Sequence, residues 1–418
     1  MNSVIKQTTI DDVPSSASFK QELKTKLRKL LSSSFVSFRE LVLEMEGAYP
    51  TDIEDALRSL REDNLAIGTS QSDQETVEMR LETRSDVEAA TLPEPHPLDY
   101  DWRFAEDTLK FLDGEIAKAK SKKIAILGAP TIFLRLALRE ADVTLYDKNV
   151  HLVEELQSYG YPTALCCDLF ATRFDRSGFD LVVADPPWYP EHYSSFIRRS
   201  SELLTPGGLL LLSVLPRLTR PSATTDRMEI LRGAETSGLD LLSIFRSSLT
   251  YKSPPFEQAS LHAEGIQLED WRRGDLFVFY RSTRPCGAMK EVYEIDDASE
   301  WQSFAVGKTV VRIRCRDIDA TEVTFHALSP SGDVHLHSVS RRAPFRSKID
   351  VWNSRNLALS LSRPDYLCDI LRRHTEGGSL GEAVERVVVE NNLSDANRNT
   401  LREIVDLLLK DAGNIENA

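Results

Sequence analysis

The stretch Asp185-Pro186-Pro187-Trp188-Tyr189 brings a carboxylate, two residues without a backbone N–H and two aromatic rings together directly after the apolar run 179–184. Residues 181–184 (Leu-Val-Val-Ala) are short, apolar and partly β-branched, which fits a central parallel strand buried on both faces. Two prolines in succession cannot extend a ladder, so the strand ends at Asp185. An acidic side chain at a strand's carboxyl end, beside a flat aromatic surface, suits an amino group on a planar or cationic substrate. Asp185, Pro186, Pro187, Trp188 and Tyr189 are therefore the candidate catalytic group. The Asp185 carboxylate and the Pro186 carbonyl would each accept an N–H. Trp188 or Tyr189 would stack on a base or cover a cationic amine, a contact worth about 0.5–2 kcal/mol.

The elements that must position this group lie upstream. Residues 122–127 read as a first strand, Gly128-Ala129-Pro130-Thr131 as its turn and residues 132–139 as the following helix. Residues 143–146 form a second strand ending in Asp147, about 20 residues beyond Gly128, the interval at which dinucleotide-binding βα units place a ribose-binding carboxylate. A helix over 150–159 leads to a third strand at 163–167. It closes on Asp168-Leu169-Phe170, where Asp168 is placed to receive an adenine amino group. Asp185 ends the fourth strand. These strand ends converge on one edge of a doubly wound sheet, the usual place for a ligand crevice.

Gly128, Asp147, Asp168, Asp185-Pro-Pro-Trp-Tyr and Thr205-Pro206-Gly207-Gly208 before the strand 209–214 resemble the ordered motifs of class I S-adenosylmethionine-dependent methyltransferases, over about residues 122–281. The resemblance implies a Rossmann-like core with S-adenosylmethionine as cofactor. It assigns cofactor contacts to Gly128, Ala129 and Pro130 in the first turn, to Asp147 and Lys148 after the second strand, and to Asp168 and Leu169 after the third. It implies methyl transfer to an exocyclic amino group at Asp185. The first turn carries one glycine where that family usually has two or three. The chain also resembles the N4-bis(aminopropyl)spermidine synthase family, which sets a winged-helix-like segment before a Rossmann domain and follows its Asp-Pro-Pro-aromatic motif with an Arg-containing stretch, as Phe196-Ile197-Arg198-Arg199 does here. That likeness implies aminopropyl transfer from decarboxylated S-adenosylmethionine. The acidic run which that family carries after its first-turn glycine is replaced by Ala129-Pro130-Thr131.

Residues 239–250 and 276–281 read as the last two strands of the sheet. The long loop between them holds Tyr251, Phe256 and Glu257, a rigid aromatic segment with one carboxylate that would form a substrate wall together with Arg198. Trp271-Arg272-Arg273-Gly274-Asp275 reads as a tight turn with two cations.

The flanks read as separate domains. Residues 18–70 show three helical patterns and a short wing, with Thr51-Asp52-Ile53-Glu54 as a capping box opening the third helix. That helix carries Asp52, Glu54, Asp55, Glu62 and Asp63 against two arginines, a poor face for phosphate. Protein contact or self-association is the expectation. Residues 71–107 are acidic and hold Pro93, Pro95 and Pro97, as in an interdomain linker. The central domain is taken as 108–284. From 285 to 418 the pattern is α+β: alternating strands at 310–315, 322–327 and 334–339, then helices at 383–391, after Ser379-Leu380-Gly381-Glu382, and at 399–409. A partner- or substrate-binding role is expected there, with the Arg341-Arg342-Ala343-Pro344-Phe345-Arg346 cluster as a solvated turn.

Composition narrows the function classes. The chain has 418 residues, enough for two or three domains, with 41% apolar and 28% charged residues, as in a soluble globular protein. No leader is read at the start, and the longest apolar run, 209–215, is too short to span a bilayer, so a cytoplasmic protein without membrane association is expected. Five cysteines without a Cys-x-x-Cys pair argue against structural zinc, and Cys166-Cys167 reads as strand filling. His335 and His337 read as solvent-facing, and no metal is expected. A net charge of −14 opposes binding of duplex DNA without a local basic groove. The leading expectation is an S-adenosylmethionine-dependent N-methyltransferase acting on a small molecule, nucleotide or nucleic acid. The alternatives are an aminopropyltransferase and a non-catalytic adaptor on a degenerate Rossmann core.

Overall fold

The computed structural model describes residues 16–33, 37–62, 92–139, 141–174, 178–284, 287, 301–314, 322–328, 334–339 and 345–409. Its centre is a sheet of β1 (Lys123–Leu127), β2 (Asp142–Asp147), β3 (Ala164–Cys166), β4 (Phe179–Ala184), β5 (Leu204–Val214), β6 (Leu239–Thr250) and β7 (Arg273–Arg281). The spatial order is β3-β2-β1-β4-β5-β7-β6, with β7 antiparallel to both neighbours and the other pairings parallel. Five helices pack on the two faces: α4 (Glu106–Ala119), α5 (Pro130–Ala137), α6 (Val150–Ser158), α7 (Pro190–Leu203) and α8 (Ala223–Thr236). This is the doubly wound, Rossmann-like core expected from the motifs. Leu181, Val182, Val183, Leu210, Leu211 and Leu212 are buried from both sides, which explains why β4 and β5 read as continuous apolar runs. β5 begins at Leu204 rather than at 209, because Phe179 pairs with Leu204 and Leu181 with Leu209. The Thr205-Pro-Gly-Gly turn is thus a bulge within the strand.

At the N-terminus, α1 (Ser16–Ser33), α2 (Phe38–Glu44) and α3 (Pro50–Glu62) bury Leu23, Leu27, Leu41, Met45, Ile53, Leu57 and Leu60. They close over Leu218, Leu261, Ile266 and Trp271 of the central domain, near α9 (Pro255–Ala263). The capping box expected at Thr51–Glu54 is not formed. The helix starts earlier, at Pro50, whose fixed φ suits a first turn, and the Tyr49 carbonyl accepts from the Ile53 N–H at 3.1 Å. A capping box does join Ser37 and Glu40 at the start of α2. The wing expected before residue 70 lies outside the described residues.

The C-terminal part is an antiparallel sheet ordered β10-β12-β11-β9-β8, built from β8 (Trp301–Val306), β9 (Thr309–Arg314), β10 (Phe325–Ala327), β11 (Val351–Asn353) and β12 (Ala358–Leu361). It is covered by α10 (Pro364–Thr375), α11 (Leu380–Glu390) and α12 (Asp395–Leu409). Residues 334–339 do not form the expected strand; His335 makes one bridge, to Leu357, and the inner position belongs to the short, fully buried β11. The last helix begins at Asp395, four residues before the expected 399, where the Ser394 hydroxyl accepts from the Asn397 N–H at 3.2 Å. Of the basic cluster at 341–346, only Phe345 and Arg346 are among the described residues.

Residues 92–105, assigned to the linker from composition, are instead a packed strap. Ala105 N–H donates to the Thr250 carbonyl at 2.9 Å and Lys252 N–H to the Arg103 carbonyl at 2.8 Å, which fastens the strap beside the end of β6. Further along, His96 Nε2 bonds the Trp352 carbonyl at 2.9 Å, and Glu94 Oε1 meets Arg355 at 3.0 Å. Among the described residues, no helix is long and apolar enough to cross a membrane.

Candidate active site

The carboxyl ends of β1 and β4 lie side by side, with Leu127 opposite Ala184, so the chain leaves the sheet at Gly128 and Asp185 next to each other. The Asp185 N–H donates to the Leu127 carbonyl at 3.0 Å and the Gly128 N–H to the Tyr146 carbonyl at 3.1 Å. Gly128 has φ +66°, and a Cβ there would stand 3.2 Å from the Asp185 carbonyl oxygen and 3.3 Å from the Phe196 ring. Conformation and space both require glycine. Above this edge lies a cavity of about 370 Å³, walled by the ends of β1, β2 and β4, the loops after β3 and β6, the strap, α3 and a short C-terminal segment at Ser338-Val339.

Asp185 is the centre of the site's electrostatics. Burial raises its pKa to about 7, against the lowering effects of Tyr251, Ser213 and Arg272. Tyr251 Oη donates to Asp185 Oδ1 at 2.8 Å, and Ser213 Oγ lies 2.5 Å from the same Tyr251 oxygen. A tyrosine has one proton and an ionised carboxylate only accepts, so Ser213 is the donor to Tyr251. The relay runs Ser213 to Tyr251 to Asp185. It fixes one carboxylate oxygen and leaves the acid open to the cavity.

On the β2 side, Asp147 Oδ1 accepts from the Asn149 N–H at 2.9 Å. Burial raises its pKa to about 7, and Asp101 and Asp99 of the strap push the same way. Lys148 lines the cavity beside it. Asp168 Oδ1 accepts from the Phe170 N–H at 2.8 Å, while the Leu169 carbonyl is tied down by Ser195 Oγ at 2.7 Å and Arg199 Nε at 2.8 Å. Gly128, Asp147, Lys148, Asp168 and Leu169 thus share one wall. Ala129 and Pro130 do not: both are buried at the start of α5, where Pro130 occupies the first turn.

The substrate-side assignments divide. Pro186 and Pro187 face the cavity, and Tyr189 meets Tyr100 edge-to-face at 5.4 Å. Trp188 is nearly buried, and the Arg272 guanidinium covers its ring at 4.1 Å, so one face expected to stack on substrate is taken by the protein's own cation. Tyr251 lines the cavity, but it is buried and its hydroxyl is engaged by Asp185. Phe256 packs edge-on to Trp102, and the buried Glu257 accepts from Tyr49 Oη at 2.5 Å. Burial raises the Glu257 pKa, opposed by Tyr49 and Arg272. Arg198 does not reach the site. It lies on α7 and pairs with Glu202 at 3.3 Å, one turn away. His337 is not simply solvated either, since its Nδ1 is 2.5 Å from Glu264 Oε1.

Sequence reasoning missed the strap residues Asp99, Tyr100, Asp101 and Trp102, the N-terminal Tyr49 and Asp52, and the partners Ser213 and Arg220. The run Asp-Tyr-Asp-Trp-Arg-Phe at 99–104 held a usable signal: three aromatics in six residues are too many for a solvated linker.

Residues 101–229 match the family described as probable N6-adenine methyltransferase. No curated protein sequence matches the chain. Among solved structures, the C9 mutein of the branched-chain polyamine synthase from Thermus thermophilus, in complex with N4-aminopropylspermidine and 5′-methylthioadenosine, aligns with 11% identity over 65% of this chain and 96% of its own, at a TM-score of 0.48. The parent synthase of that organism aligns with 13% identity over 66% and 96%, at 0.45. Magnesium protoporphyrin IX methyltransferase from Synechocystis PCC 6803 with bound S-adenosylmethionine aligns with 16% identity over 42% and 80%, at 0.30. Likenesses this loose carry no argument about activity.

Proposed function

We propose that this chain is an S-adenosylmethionine-dependent N-methyltransferase whose acceptor amine is held at Asp185. The observation that carries the reading is the placement of Asp185 and Asp147 on one cavity, at the point where β1 and β4 diverge from the sheet. The family match over residues 101–229 supports it. The residues present fit the cofactor: Gly128 leaves the close approach that a Cβ would fill, Asp147 offers carboxylate oxygens suited to a ribose diol, and Asp168 and Leu169 border the base end. When bound, S-adenosylmethionine supplies an electrophilic methyl carbon on a positively charged sulfur.

The protein's task is then mainly alignment and exclusion of water. Asp185, steadied by Tyr251, accepts N–H bonds from the amine and so turns its lone pair toward the cofactor side. With a pKa of about 7, the carboxylate is also poised to take the proton that the nitrogen loses. The Pro186 carbonyl is a second acceptor on the same turn. Tyr100 and Trp102 of the strap and Tyr49, just before α3, line the cavity with aromatic rings, which limits water at the amine.

Calorimetric titration with S-adenosylmethionine, S-adenosylhomocysteine and decarboxylated S-adenosylmethionine tests the reading. Micromolar binding of the first two, lost in Asp147→Ala and kept in Asp185→Ala, is the expected result. Preference for the decarboxylated compound would move the assignment to aminopropyl transfer, and silence from folded protein would favour a scaffold.

A further inference from the structure

Arg272 is a cavity-lining cation whose chemistry the proposed methyl transfer does not use. It sits in the loop just before β7, anchored by its carbonyl, which accepts from the Tyr251 N–H at 3.1 Å. Its guanidinium lies 4.1 Å from the ring centre of Trp102 and 4.1 Å from that of Trp188. The cation is thus in cation–π contact with two indoles. A guanidinium carries five N–H donors, all in its plane and along its edge, and stacking satisfies none of them. Among the described residues, no acceptor lies within hydrogen-bond distance of this guanidinium; its partners are the two rings and the fields of neighbouring charges. Other arginines around the cavity are treated differently. Arg220 bonds Asp226 and the Trp188 carbonyl, Arg312 bonds Asp99, and Arg103 bonds Asp101.

A half-buried donor fork that lines a cavity and has no protein acceptor among the described residues is open to completion by a ligand. The two indole contacts restrict the guanidinium, whose fork of N–H donors suits two parallel bonds to an oxyanion. Trp188 belongs to the same turn as Asp185, and Arg272 and Asp185 line the same cavity and feel each other's charge. We propose that Arg272 recognises an acidic oxygen on the acceptor, so that the acceptor carries both an amino group, held at Asp185, and a carboxylate or phosphate, held at Arg272. This rests on the methyltransferase reading above and narrows it. A purely cationic polyamine would bring positive charge against Arg272 and leave its donors unpaired. Duplex DNA remains disfavoured by the net charge of −14, whereas a nucleotide or an amino acid satisfies both groups.

The test uses the full chain saturated with S-adenosylhomocysteine and two matched pairs of probes: adenosine 5′-monophosphate with adenosine, and lysine with cadaverine. Each is titrated against the unaltered protein, Arg272→Gln and Arg272→Lys, with thermal melts to confirm folding. The acid-bearing member of at least one pair is expected to bind about tenfold tighter or more, as one charge-assisted bond supplies. Arg272→Gln should erase that preference and Arg272→Lys should retain part of it. Which pair responds distinguishes phosphate from carboxylate. The proposal is overturned if no pair favours its acidic member, or if the preference survives Arg272→Gln. It is also overturned if Arg272→Gln weakens S-adenosylmethionine relative to its decarboxylated form, since the arginine would then serve the cofactor's carboxylate. Failure to bind S-adenosylhomocysteine at all would sink the methyltransferase reading itself, a separate result.

Discussion

Tyr251 donates to Asp185 from beneath, at 2.8 Å, and its ring is buried against Phe104 and Trp188. A residue of the cavity lining thereby also supports Asp185, the acid proposed to hold the amine. Tyr251→Phe should leave the ring packing intact and remove one bond to a charged acceptor, worth about 1.5–3 kcal/mol. Turnover near neutral pH should fall roughly ten- to a hundredfold with cofactor affinity unchanged. Because that bond lowers the Asp185 pKa, the acid limb of the rate profile should move to higher pH. Steady-state kinetics across pH, with parallel cofactor titration, decide the matter; an unmoved acid limb would show that Tyr251 does not act through Asp185.

Asp185 should also leave a mark on stability. Its pKa is about 7 when folded, against about 3.9 in an unfolded chain, so between those values the folded state holds a proton that the unfolded state lacks. The stabilisation from that proton is full below the unfolded value and is lost as pH rises through about 7. Asp185→Asn should therefore raise the melting temperature near pH 8 by several degrees and change it little near pH 4. Melts at the two pH values are sufficient, and equal shifts at both would contradict the burial argument.

Gly128→Ala meets two obstacles at once: φ of +66° and a Cβ 3.2 Å from the Asp185 carbonyl oxygen. A left-handed conformation alone costs an L-residue about 1–2 kcal/mol. Denaturant unfolding should show at least that loss. Cofactor affinity should fall further, because the displaced turn moves both the β1 edge and Asp185.

Arg198→Ala should be nearly silent. Its pair with Glu202 is partly exposed and four residues apart on one helix, a contact worth about 0.3–0.5 kcal/mol. Turnover should stay within about twofold of the unaltered protein, in contrast to the losses expected at Tyr251. A large loss would mean that α7 contributes to acceptor binding in a way this geometry does not contain.

The parts of the site legible in the sequence are those fixed by local backbone rules. Pro186 and Pro187 must end β4, an acid must follow β2 at the Rossmann interval, and Gly128 turns with a positive φ where a Cβ would be crowded. The acids at 147, 168 and 185 were found that way, and they share one cavity wall or its edge. What was not legible depends on long-range packing. Asp101 and Trp102 looked like linker because acidic, proline-rich composition dominates their surroundings, while their burial comes from β6 and the loop before β7. The stacking of Arg272 joins residues 102, 188 and 272, and no periodicity encodes such a meeting. Arg198 failed for the opposite reason: sequence adjacency to the motif says nothing about which side of α7 faces the cavity.

The strap at 92–105 has a thermodynamic side. One end of it grips the C-terminal sheet through Glu94 with Arg355, His96 with Trp352 and Asp99 with Arg312, and the other end lays Trp102 on Arg272. Anything that seats against Trp102 therefore holds the strap, and a held strap holds β9 and β11. By reciprocity, whatever free energy binding in the cavity adds to the strap's hold on the C-terminal sheet, loosening that sheet takes from binding. The coupling between the cavity and the C-terminal sheet is thus a single quantity, read at two ends of fourteen residues.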